Sequence, residues 1–153
     1  MAVREDFENL LAEFVRESGV KIDRGEEGSA TVAIGEERLV LLNLEFLPES
    51  GSVLAWAAVG NLGDDENAPA RAEYLMSVND REFLESGFVL AQNAEDGLGV
   101  AHDVRRIEWF DSADRFAAWL EALYALVCRV RIECDERFPY VDDGELVSIS
   151  EEV

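Results

Sequence analysis

Between Asp111 and Phe138 the apolar residues Phe116, Leu120, Leu123, Val127, Val130 and Cys134 recur at alternating steps of four and three. That spacing places all six on one stripe of a helix. Asp111 or Ser112 can cap its start, Asp114 puts an acid in the first turn, where the helix dipole favours it, and Pro139 forbids continuation. Trp119 and Leu126 widen the stripe beyond a coiled-coil seam. Such a face cannot be buried by one helix. It needs a sheet, and the preceding residues supply strands.

Taken in order, Glu5–Ser18 has Phe7, Leu10, Leu11, Phe14 and Val15 at helical spacing, with Gly19 to end it. Val20–Asp23 is a short extended stretch, and Arg24–Ser29 a turn before a brief strand, Ala30–Ile34. Gly35-Glu36-Glu37 turns the chain into its clearest strand, Arg38–Phe46. Val40, Leu42, Leu44 and Phe46 share one face there, while Leu39, Leu41, Asn43 and Glu45 share the other. Ser52–Val59 returns as the next strand. After the loop Gly60–Ala68, Pro69 favours a helix start and Ala70–Asn79 continues it. Asp80–Gly87 fits either the end of that helix or the lead into a strand. Gly87–Gln92 and Leu98–Ile107 are strands joined by the turn Asn93–Gly97. The order α-β-β-β-α-β-β-α, with hairpins segregated from helices, predicts an α+β fold: an antiparallel sheet packed by helices. Residues 1–138 form one domain, and residues 139–153 read as an acidic C-terminal tail, in which Leu146, Val147 and Ile149 are able to pair as an edge strand.

The 153 residues carry 34 acids against 13 bases, a formal net charge of −21. That charge repels phosphate backbones and anionic bilayers, so neither nucleic acid nor membrane is an expected partner. No stretch has the length of a membrane span and no leader pattern precedes the first helix, which predicts a cytoplasmic protein. Cys128 and Cys134 lie six apart on one helix and face different directions, so they are expected to be reduced and unpaired.

No motif for catalysis emerges. His102, the single histidine, sits in a strand and reads as structural or surface. Asp64-Asp65-Glu66 lacks the alternate-position carboxylates, central Gly and distal Glu of a calcium loop and reads as a solvated acidic loop. Gly97-Leu98-Gly99 is a hairpin signal, too short for a phosphate cradle. No catalytic residue, metal site or cofactor is assigned.

The apolar surplus carries more information. Leu39 and Leu41 lie opposite the core-facing row, and Trp56 falls among alanines in the next strand. Either helices cover both faces of the sheet, or an apolar patch receives another chain. Ala118, Ala125 and Ile132 line the far side of the long helix, either as a solvated helix-favouring row or as a subunit contact.

The order of these elements over Asp6–Arg137 resembles the class I type III secretion chaperones, the Tir chaperone (CesT-like) family. The resemblance rests on the N-terminal helix and on the hairpin Glu37–Phe46 and Ser52–Leu62 with its Gly-Asn-Leu end. It continues through Tyr74-Leu75-Met76-Ser77-Val78-Asn79, similar to that family's Leu-Leu-x-x-x-Asn signature, the glycine-led strand Gly87–Gln92 and the closing helix with Trp119. It implies a non-enzymatic homodimer that holds the N-terminal segment of a secreted effector in extended form. On the same resemblance, Leu39, Leu41, Val53 and Trp56 contact the effector, and Tyr74, Leu75, Val78 and Val89 form the dimer interface. The alternative is an acidic YbjN-like regulator or decoy that binds a basic protein. An enzyme working with carboxylates alone is a third class, and it requires a concave polar cluster.

Overall fold

The computed structural model describes residues 4–26, 28–93 and 95–141. The C-terminal tail from Asp142, with Leu146, Val147 and Ile149, lies outside the described residues. Helix α1 (Arg4–Ser18) is followed by four strands, β1 (Lys21–Arg24), β2 (Ser29–Ile34), β3 (Val40–Leu47) and β4 (Ser52–Asn61). Then come α2 (Ala68–Glu85), β5 (Val89–Gln92), β6 (Leu98–Arg106), a 3-10 turn at Ile107–Trp109 and the long α3 (Ala113–Arg137). The six strands make one antiparallel sheet in the order β1-β2-β3-β4-β6-β5. The α+β architecture is therefore as expected, with one strand more: the short stretch after Gly19 pairs with β2 as β1. The ambiguous stretch after Asn79 resolves as helix, since α2 runs on to Glu85.

The reason for the long closing helix is visible in its contacts. Ser112 caps it, its side chain accepting from the Arg115 N–H at 3.2 Å. Phe116, Trp119, Leu120, Leu123, Leu126, Val127 and Val130 are buried, and Cys134 at the far end is half-buried. The helix lies across β3, β4 and β6, with α1 beside it and α2 against β5. The strands meet it with one alternating set: Val40, Leu42, Leu44 and Phe46 from β3, and Val53, Ala55, Ala57 and Val59 from β4. At one end Phe116 packs edge-on against Phe14 (5.5 Å) and Phe110 (5.2 Å), locking α1 to α3. Asp103, a polar residue on this side, accepts hydrogen bonds from Trp119 Nε1 (2.9 Å) and Arg105 Nε (2.8 Å).

All three helices thus lie on one side of the sheet. No described element covers the other.

Candidate interaction face

Side chains opposite the core row make the uncovered face. From β3 come Leu41, Asn43 and Glu45, from β4 Leu54, Trp56 and Ala58, and from β6 Val100, His102 and Val104. Register brings them side by side: Asn43 pairs with Trp56, Trp56 with His102, Leu54 with Val104, and His102 with Val89 of β5. Relative exposures are 54% for Leu39, 50% for Leu41, 37% for Trp56 and 45% for Val104, large for apolar side chains, and these four are spread along the face on β4, β6 and the start of β3. A shallow depression of about 350 Å³ opens beside the indole, lined by Leu54, Trp56, Asn93, Val100 and His102.

Of the four residues expected to contact a partner, Leu39, Leu41 and Trp56 stand on or beside this face. Val53 does not, and the expectation is corrected: it is 0% exposed, because the odd-numbered residues of β4 point to α3 while Trp56 points away. Sequence periodicity left the even and odd sets of β4 equivalent, and only the pairing Asn43↔Trp56 decides between them. The same pairing adds Leu54, Val100 and Val104, which no local pattern singled out, since β4 and β6 are far apart in the chain. His102 is a half-exposed member of this face.

The expected dimer residues need a correction too. Tyr74, Leu75 and Val78 are buried within the chain itself. Leu75 lies where a Cβ on Gly99 would meet it at 2.9 Å, and Tyr74 packs its ring on Phe138 (5.8 Å) while its hydroxyl donates to Glu133 at 2.7 Å. Burial and the Glu133 carboxylate together raise the Tyr74 hydroxyl pKa. What α2 turns outward is Met76, which is fully on the surface side, and Val89 of β5 is half-buried.

The sheet is not evenly knitted. The β3–β4 ladder runs from Leu47↔Ser52 to Asn43↔Trp56 and ends there, although β3 begins at Val40 and β4 continues to Asn61. Beyond that point Leu41 stays paired with Ala33 of β2 and Ala58 with Val100 of β6, so the two strands part. Arg131 of α3 reaches into the parting and donates to Leu39 O (3.1 Å) and Ala58 O (2.8 Å). The Phe46 N–H bonds Gly28 O, so the even residues of β3 address β2 and the backbone of Leu41 addresses the parting. The two outer edges are by contrast blunted. β1 is four residues long and mostly charged, and on β5 the Leu90 N–H is taken by Asn79 Oδ1 at 2.9 Å.

A second site surrounds Arg71, whose side chain is 2% exposed. It donates to Asp65 through Nη1 (2.5 Å) and Nη2 (2.9 Å), to Leu62 O through Nη1 (2.7 Å) and to Phe138 O through Nε (3.0 Å). The Tyr140 ring lies 3.8 Å from the guanidinium carbon, and the Val141 N–H donates to Asp65 Oδ2 at 2.6 Å. Asn67 Nδ2 donates to Pro139 O, and the Tyr140 hydroxyl to Asn61 O. The hydrogen bonds from Arg71, followed by that from the Val141 N–H, hold the Asp65 carboxyl down at about 2 against the opposing effect of burial. Asp65 is thus a latch partner and not simply part of a solvated acidic loop. Among the described residues no group of three or more His, Cys, Asp or Glu is placed to hold a metal ion. None of the described helices is long and apolar enough to cross a membrane.

No protein-family model matches the chain, and no curated protein does. Solved structures do. A chain of the HopA1–SchA chaperone–effector complex superposes with a TM-score of 0.66 at 16% identity, over 84% of this chain and 94% of that one. A chain of the ExsC–ExsE complex superposes with a TM-score of 0.67 at 21% identity, over 86% of this chain and 95% of that one. The chain therefore shares the fold of these chains, an antiparallel sheet flanked by helices.

Proposed function

We infer that this protein is a class I type III secretion chaperone-like binding protein. It holds an extended N-proximal segment of a secreted effector against the uncovered sheet face and keeps it secretion-competent. The observation that carries this reading is that face itself, along which Leu39, Leu41, Trp56 and Val104 are exposed, on a sheet whose other side is packed by the helices. The fold likeness to a chain of a chaperone–effector complex supports it. Covering the exposed halves of Leu39, Leu41 and Trp56 is worth about 1 kcal/mol each by apolar transfer, enough to anchor a peptide but not to hold a folded domain. Ordering an unfolded segment costs free energy, which a long wrapped surface offsets. The net charge of −21 keeps copies with an open apolar face from associating through it and favours a neutral or basic partner.

The working unit in this reading is a cytoplasmic homodimer joined through the outer surface of α2 and the β5–β6 hairpin, where Met76 and Val89 are the apolar groups on offer. Native affinity purification of the tagged chain, with limited proteolysis of what it retains, tests the proposal. The expected result is one dominant protein protected over an N-proximal segment. A folded basic protein released by moderate salt would instead establish the acidic-regulator reading.

A further inference from the structure

His102 stands within the uncovered face, among its apolar groups. Across the two ladders of β6 its neighbours are Trp56 on β4 and Val89 on β5, and along β6 the residues on the same side are Val100 and Val104. Side chains directly opposite in an antiparallel pair come within about 5 Å, so the imidazole is flanked by hydrocarbon. It also forms one wall of the depression beside the indole, with Leu54, Val100 and Asn93. Charged groups stand off from it. β4 brings Leu54, Trp56 and Ala58 to this face and β5 brings Val89 and Ala91, none of them charged. Glu45 lies on β3, two strands away and opposite Leu54, and Arg106 lies four residues along β6, opposite Ser52. Asp103 points to the helices, where Trp119 and Arg105 hold it. Glu95 and Asp96 belong to the turn beyond Asn93, with the Asp96 carboxylate accepting the Leu98 N–H.

We propose that His102 makes this face pH-sensitive: it accepts an apolar segment while the imidazole is neutral and sheds it when the ring is protonated. Histidine is the side chain that changes charge between pH 5 and 8. A segment laid over Trp56 and Val104 takes the water from the ring between them. A neutral imidazole tolerates that, whereas an imidazolium without a counter-charge beside it does not. The partner that suits a net charge of −21 is neutral or basic, so it brings no counter-charge either. Covering the ring therefore expels its proton, and affinity is greatest where the free ring is already neutral. With one proton released, affinity falls by up to about tenfold per pH unit once the free ring is charged. The Arg71 latch is not disturbed in that range, because the Asp65 carboxyl is held down at about 2. Release of an effector segment by acid rests on the partner-binding reading, whereas the pH sensitivity of the face does not.

The test is a binding titration of the full-length chain with Nile red, an uncharged apolar dye, at pH 7.5 and pH 5.5, and it needs no effector. Binding to the parent should weaken about tenfold at the lower pH. His102→Gln, neutral throughout, should bind within about twofold at both, and His102→Lys, charged throughout, should bind weakly at both. Melting temperatures of the two variants confirm that each is folded. Equal binding by the parent at both pH values overturns the proposal. So does the parent's pH dependence persisting in His102→Gln, or no dye bound at all. Any of these leaves the partner-binding reading to the affinity purification. The predicted dye pattern with no protein captured in that purification would do the reverse, removing the effector and keeping the pH-sensitive face.

Discussion

Replacing Arg71 with Met tests whether the latch is part of the fold or decoration on it. Methionine keeps the aliphatic stem and removes the guanidinium. Four hydrogen bonds go with it: two to Asp65, one to Leu62 O and one to Phe138 O. Breaking a buried charged pair on one side costs about 3–5 kcal/mol. Asp65 sits near the surface and can turn to water, so the lower end applies, about 3 kcal/mol for Arg71→Met. For a chain of this size each kcal/mol moves the melting temperature by about 2–4 °C, so the midpoint should fall by about 6–12 °C. Urea unfolding followed by circular dichroism measures the loss directly, and an unchanged slope would show that the native state stays compact. Asp65→Asn and the double variant complete a cycle, in which the double variant should lose clearly less than the sum of the singles. A melting temperature within about 1 °C of the parent for Arg71→Met, or strict additivity in the cycle, would refute the reasoning.

Two further outcomes follow from the same geometry. Phe116→Ala empties the ring that joins Phe14 to Phe110 and should cost about 3–5 kcal/mol in urea unfolding, and a loss below about 1 kcal/mol would mean that α1 is not held through this cluster. Acid should act through Asp65, whose folded pKa of about 2 lies below its ordinary 3.8. A depressed carboxyl contributes stability that is fully present above its unfolded value and is lost as pH falls through the folded one. Between about pH 4 and pH 2 the parent should therefore lose more stability than Asp65→Asn, and parallel curves would contradict the assignment.

How much of this was legible beforehand depends on whether the signal was local. The stripe from Phe116 to Val130 and the Val40–Phe46 row follow from side-chain periods of 3.6 and 2, and the structure places them as those periods require; of the two cap candidates, Asp111 and Ser112, it uses Ser112. Val53 was misplaced because β4 is apolar on both faces, and only pairing with β3 tells its two sides apart. Tyr74, Leu75 and Val78 face outward only on the resemblance of short motifs; the structure buries them, because helical spacing fixes which residues share a stripe and not which stripe meets the sheet. The Arg71 latch joins residues 62, 65, 71, 138 and 140, and no window along the chain contains them. The parting of β3 from β4 was invisible for the same reason. Both strands read as continuous, and the break lies in their ladder.

The most direct test of the central claim compares capture of the partner by the parent chain and by Leu41→Asp. Leu41 is half exposed on the side away from the helices, so the charge should leave the circular dichroism spectrum and melting temperature essentially unchanged. A folded Leu41→Asp protein that no longer retains the effector segment is the predicted result. Undiminished capture by that folded variant would place the binding surface elsewhere and contradict the account.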